Sequence, residues 1–561
     1  MKKAKWWAAV QIIAVMTAAA GCSGNNNDAA KAESNPTGTQ TGSASGSTQR
    51  AKDPYGKFDQ PVTFTLGKML PPAANFPEGS TDTVEDNEYT RYIAENLNVR
   101  IKHKWQVQGD AYIQKVNMSL ASGDIPDVMN VNEDQLKQLV EADLIADLSD
   151  AYEQYASPYV RGVYESTEGK ALEKATFDGK LMALPDVNVQ GNAPSLLWIR
   201  QDWLDKLGLQ PPKTVDELSQ VAEAFIERDP DGNNKDDTIG LPAMRDIVSG
   251  AASAHFSLDA IFQAYGARPN TWIKDSEGQV TYGTIMPEMK PALGKLSEMY
   301  KKGLIDKEFG VKDVAKATEQ VVNGKAGLLF GPWWSPFYPL SDAVKKDPKA
   351  EWRAYALPLD ASGVFNANTL PASSNFLVVR KGYDKPEAVV KTLNMQFKLI
   401  RVLDGAPEPY KGQNVNWAVA PFTINLDYAN AVERIHQQLQ DALDGKIKPE
   451  ELPADRQTQY QQVVAEMQNP KKDPANWSVK AANLDAAAVL ATPMNKIYGV
   501  FDGQTKTMES KWANLSKLSN EALMQIIVGD KPLDYFDEFV AKWRQIGGDQ
   551  VIREVTEAIK K

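Results

Sequence analysis

Apolar and polar positions change period along this chain, and the changes mark its elements. Val62-Thr63-Phe64-Thr65-Leu66 alternates with the period of a half-buried strand. Residues 99–105 repeat the pattern, with Val99, Ile101, His103 and Trp105 on one face and Arg100, Lys102 and Lys104 on the other. Between them, residues 89–96 have helical spacing. Strand–helix–strand order predicts an α/β fold with largely parallel sheets. Further on, Thr214-Val215-Asp216-Glu217 has capping-box spacing, and Leu218, Val221 and Phe225 follow on one helix face. The stretch from Asp202 to Leu207 reads as a short helix stopped by Gly208, with Pro211-Pro212 beyond. Gly327-Leu328-Leu329-Phe330 reads as a buried strand opening into Gly331-Pro332-Trp333-Trp334. Phe536, Phe539, Val540 and Trp543 form a helix stripe that Gly547-Gly548 interrupts; Trp203 and Trp543 on such stripes belong to the core.

The start of the chain follows another pattern. Lys2, Lys3 and Lys5 precede the apolar residues 6–20, and Ala18-Ala19-Ala20-Gly21 leads to Cys22. The apolar run is shorter than the roughly 20 residues that span a bilayer, so residues 1–21 read as a signal peptide. Ala-Ala-Gly before cysteine resembles a bacterial lipobox, with Ala19 where leucine is usual; the alternative is an ordinary signal peptide. Cys22 is the single cysteine of 561 residues, which favours lipidation there and rules out an intrachain disulfide or a cysteine-based metal site. Residues 23–60 are rich in Ser, Gly, Asn, Thr and Ala, the composition of a tether reaching about 30–35 Å. The implied place is the outer face of the cell membrane, held by lipid.

Composition narrows the functions. The chain is 42% hydrophobic with 13 tryptophans, a packed globule long enough for more than one lobe. Its net charge of -11, or -14 once the three leader lysines are removed, disfavours a general nucleic-acid binder. Three histidines far apart exclude an HExxH pair, and neither a Walker A nor a G-x-S-x-G motif occurs.

Leu120-Ala121-Ser122-Gly123-Asp124-Ile125-Pro126-Asp127-Val128, Gly179-Lys180-Leu181-Met182-Ala183-Leu184-Pro185 and Leu197-Trp198-Ile199-Arg200-Gln201-Asp202-Trp203-Leu204 resemble, in this order, extracellular solute-binding lipoproteins of carbohydrate ABC importers. The likeness is to the large Gram-positive LplA-like branch, related to alginate-oligosaccharide binding proteins. Gly324-Lys325-Ala326-Gly327 through Trp334 and residues 526–548 fit the same pattern. The resemblance implies a two-lobed, periplasmic-binding-protein-like (type II) α/β fold with discontinuous lobes and a ligand cleft between them. It divides the globule into lobe one, 61–187 plus 371–490, and lobe two, 188–370 plus 491–561. Residues 22–60 would be the lipidated cysteine and tether.

Candidate chemistry falls in three groups. Asp229, Asp231, Asn233 and Asp237 place side-chain oxygens at positions 1, 3, 5 and 9 of a loop, and Lys235 offers a carbonyl at position 7, a spacing that suits Ca2+ in a structural role. Asn234 stands where EF-hands have glycine and Gly240 where they have a bidentate glutamate; the alternative is an Asx-rich turn without metal. Aromatic rings stack on sugar C–H faces, which makes Trp333, Trp334, Trp272, Trp417, Trp105 and Tyr498 cleft candidates, against the general tendency of tryptophan to be core. Arg200 and Asp127 follow strand-like segments and are ligand candidates; Arg200 would fork onto a ligand carboxylate or make an inter-element salt bridge.

Three functions remain. The favoured one is a lipid-anchored, monomeric receptor without catalytic residues, capturing an oligosaccharide and delivering it to ABC permeases. The others are a surface-tethered carbohydrate hydrolase or lyase, and a sugar-sensing receptor subunit.

Overall fold

The computed structural model describes residues 52–70, 76, 79–249, 255–275, 277–403 and 419–559. Cys22 and Trp417 lie outside the described residues. Residues Arg50–Lys561 form one compact unit. Among the described residues no helix is long and apolar enough to cross a membrane.

Two sheets organise the fold, which is the two-lobed α/β arrangement expected. The first runs Val99–Gln108, Val62–Leu70, Val128–Val131, Phe376–Val379, Leu184–Pro185 in spatial order. The second places Leu196–Arg200 between Leu328–Gly331 and Trp352–Tyr355. The expectation of largely parallel sheets holds only for the first three strands. Phe376–Val379 runs antiparallel to both neighbours, and both pairings of the second sheet are antiparallel. The reason lies in connectivity. Parallel pairing comes from strand–helix–strand crossovers, whereas Phe376–Val379 joins the first sheet after the chain has left for the other lobe and returned, and the strands of the second sheet are separated by long insertions within their own lobe.

Each sheet carries its own core. Phe64, Leu66, Val128, Leu184 and Phe376 pack with Ile93, Val160 and Leu393 of flanking helices. In the second lobe, alternation along one strand feeds two clusters. Leu197 and Ile199 join Phe225, Leu293 and Leu523 on one face, while Leu196 and Trp198 join Leu340, Trp352 and Trp477 on the other. Val432, Trp477, Ala487 and Leu490 belong to that last cluster, so part of the span 371–490, which the resemblance assigns to lobe one, shares a core with the second sheet.

Local signals explain many boundaries. Asn87 caps Glu88–Leu97, accepting from the N–H of Tyr89 and Thr90, while Thr90 returns a bond to the Asn87 N–H. Thr214 accepts from the Glu217 N–H at 3.2 Å and caps Val215–Glu227, but the Glu217 carboxylate turns to the Lys213 N–H instead of completing the box. Gly208, at φ 67°, ends Gln201–Leu207. Phe536, Phe539 and Trp543 are buried, as their stripe predicts. The sequence reads residues 52–60 as tether, yet the Lys52 N–H donates to the Gln154 carbonyl, the Phe58 N–H donates to the Leu97 carbonyl, and Tyr55 and Phe58 pack on the first core.

Polar ties hold the crossings between lobes. Asp186, at one crossing, accepts from the Ser373 hydroxyl, the Ser374 and Asn375 N–H groups and the Asn375 amide of another, all within 3.1 Å. Asn366–Asn368 pairs in parallel with Asn495–Ile497, and the Asn495 amide donates to Asn366 Oδ1 at 2.7 Å.

Candidate functional site

A cavity of about 760 Å³ opens where these crossings meet the two lobes. Lobe one contributes Asp134, Glu173 and Lys174; the second lobe contributes Thr271, Trp272, Phe501, Asp502 and Trp512; Thr369–Ala372 forms the floor. A smaller cavity of about 250 Å³ shares Lys170, Leu370, Ala372 and Tyr498 with it.

One wall is aromatic. Trp512 stacks on Trp272 at 6.0 Å between centroids, and Trp272 packs against Tyr282 at 4.9 Å. Tyr282 stacks on the fully buried Trp543 at 5.5 Å and 10°, which anchors the wall in the core. Trp272 is only 6% exposed, whereas Trp512 is half-buried and Tyr498 is 50% exposed. The lining is also ionic. Lys174 Nζ lies 2.8 Å from Glu133 and 2.8 Å from Asp502, so it joins a helix of lobe one to the segment whose Phe501 packs on the other core. Burial opposes the charge on Lys174, but Asp502 and Glu133 outweigh it and raise its pKa. Burial likewise opposes ionisation of Glu133, yet Lys174 and Lys137 hold its carboxyl below the usual range. At Asp502 burial prevails and the carboxyl is pushed up. Asp134, also raised by burial, accepts from the Gln504 N–H at 3.2 Å.

Of the residues singled out by sequence, the main cavity gathers Trp272 and Tyr498. Trp105 lies across Gly67, where a Cβ would fall 2.4 Å from its ring, and meets Tyr112 edge-on at 5.3 Å. Trp333 donates to Asn192 Oδ1 at 2.9 Å, and Trp334 meets His255 edge-on at 4.8 Å. Arg200 is 5% exposed, forks onto Asp202 at 2.8 and 2.6 Å and reaches Asp347 at 3.1 Å. Asp127 pairs with Arg380 at 2.7 Å and accepts from the Thr65 N–H and hydroxyl. For Arg200 the geometry is that of the salt-bridge alternative. Trp512, Phe501, Lys174, Asp134 and Asp502 were not anticipated. Trp512 falls in a long helix whose stripe reads as core, and the charged residues resemble any solvated face. Phe501-Asp502-Gly503, just before Thr505, which caps the helix Lys506–Val528 that carries Trp512, was the one available signal.

The acidic loop follows its predicted geometry in part. Asp229, Gly232 and Asn234 adopt positive φ, Asn234 at 55° where EF-hands use glycine. Asp229 accepts from the N–H groups of Gly232, Asn233 and Asn234. The neighbouring Asp231 and those donors hold its carboxyl low, while burial and Asp229 raise that of Asp231. Asn233 donates through its amide to Asp231 and Asp237, and the Lys235 N–H donates to Asn233 Oδ1. Among the described residues no three carboxylate, imidazole or thiol groups converge as a metal cage. Gly240 cannot be exchanged for a closing glutamate, because a Cβ there would lie 2.2 Å from the Leu304 carbonyl oxygen beside the Leu241–Ile305 bridge.

Two lobes, an antiparallel second sheet between helices and a crossing-lined cavity define a cleft-type binding protein, and comparison with known proteins agrees. Residues 80–397, more than half of the chain, match the family of bacterial extracellular solute-binding proteins, and the chain belongs to that family. It is 24% identical over 464 residues to the polygalacturonan/rhamnogalacturonan-binding protein YtcQ of Bacillus subtilis, covering 80% of this chain and 83% of that one. It is 25% identical to lipoprotein LipO of the same organism, covering 81% and 85%. In fold it resembles a human-milk-oligosaccharide (HMO) binding solute-binding protein of Bifidobacterium longum infantis, with TM-score 0.60 at 17% identity over 89% of this chain and 98% of the other. The Streptococcus pneumoniae protein FusA, solved with kestose, aligns with TM-score 0.57 at 17% identity over 89% and 99%.

Proposed function

We propose that this protein is the substrate-binding component of an ABC importer, capturing an oligosaccharide between its lobes and handing it to membrane permeases. The cavity carries this reading: aromatic rings and charged side chains together line a space of about 760 Å³, within the usual range for ligand sites. Aromatic rings take the C–H faces of a sugar, and Asp134, Glu173 and Asp502 accept from its hydroxyls. Trp272, Trp512 and Tyr498 are the stacking residues of this reading. The crossings act as a hinge, with lobe one centred on the first sheet and lobe two on the second, the latter including 431–490. The protein is a binder and not an enzyme, and works as a monomer. The relatives' names cover both uronate polymers and the fructooligosaccharides of FusA, so this cleft itself has to decide the sugar's charge.

Two finer features belong to the same reading. Export is directed by residues 1–21, and Cys22 carries the lipid, more than one acyl chain making the anchoring stable. The loop of Asp229, Asp231, Asn233, Lys235 and Asp237 takes a structural Ca2+, the Asn233 side chain turning by half so that oxygen replaces nitrogen toward Asp231 and Asp237. The support is the tightly held Asp229–Asp231 pair, which a divalent cation would relieve. Titrating Ca2+ into residues 50–561 should raise the melting temperature, and Asp231→Asn should abolish the rise; a flat titration contradicts the metal.

The functional test is uptake. A strain lacking the protein should lose import of one oligosaccharide class and regain it with the intact gene, while purified protein leaves that sugar uncleaved. Retained uptake, or product formation, contradicts the proposal.

A further inference from the structure

The cations lining the main cavity are already paired, and its charge is on balance negative. Among the described residues lining the main cavity there is no arginine. Its two cations are both engaged: Lys174 is held by Glu133 and Asp502, and Lys170 by Glu168 at 2.9 Å, with its Nζ 4.9 Å from the Tyr498 ring centroid. Against them stand the carboxylates Asp134, Glu173 and Asp502. The smaller cavity adds Lys496 and Glu168, which leaves carboxylates in excess across both. Lys496 makes no ion pair within 4 Å among the described residues, but it lies in the field of Glu168 and of Glu433, whose Oε2 is buried without a hydrogen-bond partner.

From this arrangement we propose that the cleft selects uncharged oligosaccharides and rejects uronates. The inference rests on the reading of the cavity as the sugar site and specifies its substrate class. A uronate carboxylate enclosed between the lobes loses its hydration and needs a cation with free donors, ideally an arginine fork. To obtain one from Lys174 it would have to displace Asp502 or Glu133, stranding a carboxylate in the same space. Neutral hydroxyls face no such exchange. They donate to Asp134, Glu173 or Asp502 as charge-assisted bonds and leave the lysine pairs intact.

The test is calorimetric titration of residues 50–561 with matched ligands: kestose, xylotetraose, β-galactotetraose, tetragalacturonate, the methyl ester of tetragalacturonate and an alginate tetramer. The ligands that bind should be neutral and bind about tenfold or more tighter than any uronate. Any residual tetragalacturonate affinity should rise on esterification. A uronate that binds as tightly as the best neutral ligand overturns the inference and leaves the proposed function standing. No binding by any member contradicts the proposed function itself. Asp134→Asn and, separately, Asp502→Asn should each shift the uronate-to-neutral affinity ratio upward; an unchanged ratio in both folded variants contradicts the electrostatic argument.

Discussion

His255 shows how burial sets chemistry at a single residue. It is 5% exposed, packed edge-on against Trp334 and Tyr338, with Nε2 3.1 Å from the Ser335 hydroxyl. Burial lowers its pKa from 6.5 to about 4. The unfolded chain therefore takes up a proton near 6.5 and the folded chain only near 4, so stability present above pH 6.5 is lost as pH falls through 4. The contribution is about 2–3 kcal/mol. Denaturant unfolding measured from pH 7 to 4 should show that loss together with the one from His103, whose pKa burial also lowers to about 4, and His255→Gln should reduce it; an equal slope in the variant contradicts the assignment. At the same scale, Trp512→Ala should weaken sugar binding by about tenfold or more, since its ring is the more open half of the stacked pair. Unchanged affinity in calorimetry would remove Trp512 from the site. Single residues were the least legible part of the sequence. Trp203 and Trp543 are core as read, because a helix stripe states its own burial. Which aromatic faces a cleft depends on how distant segments meet, and Trp512 lay hidden inside just such a stripe.

Elements were more legible, because their signals are local. The strand Val62–Leu70, the helix Val215–Glu227 and the strand Leu328–Gly331 stand where period and caps put them. Strand direction was not legible: antiparallel pairing of Leu196–Arg200 with Leu328–Gly331 joins segments more than a hundred residues apart, and no local period records it. Gly240 illustrates the same limit. Its place at position 12 of the acidic loop reads as a defective metal ligand, while its physical role is to let the backbone pass the Leu304 carbonyl. Gly240→Ala should cost about 1–3 kcal/mol through overpacking. Gly310→Ala, where the new Cβ meets only Met524 at ordinary contact distance, should lie within about 0.5–1 kcal/mol of neutral. Equal melting temperatures for the two variants would refute the close-approach argument.

At the scale of the whole molecule, the resemblance supplied the two lobes and the cleft, but the path of the chain between lobes emerged only from packing. Val432 and Trp477 share a core with Trp198, which no spacing in residues 431–490 announces. The lobes are also linked across the cleft by Lys174 between Glu133 and Asp502. Lys174→Met leaves two carboxylates facing each other and should shift the free protein toward a more open form. Small-angle scattering should report a larger radius of gyration for the variant; identical curves contradict a bridging role. The central claim, that an oligosaccharide is held in this cleft and released unchanged, is tested most directly by calorimetry on residues 50–561 followed by mass analysis of the recovered ligand. The account predicts one sugar bound per chain, of unaltered mass, with affinity diminished by Trp512→Ala. A stoichiometry of zero across the panel, or a shortened sugar in the recovered fraction, would contradict it.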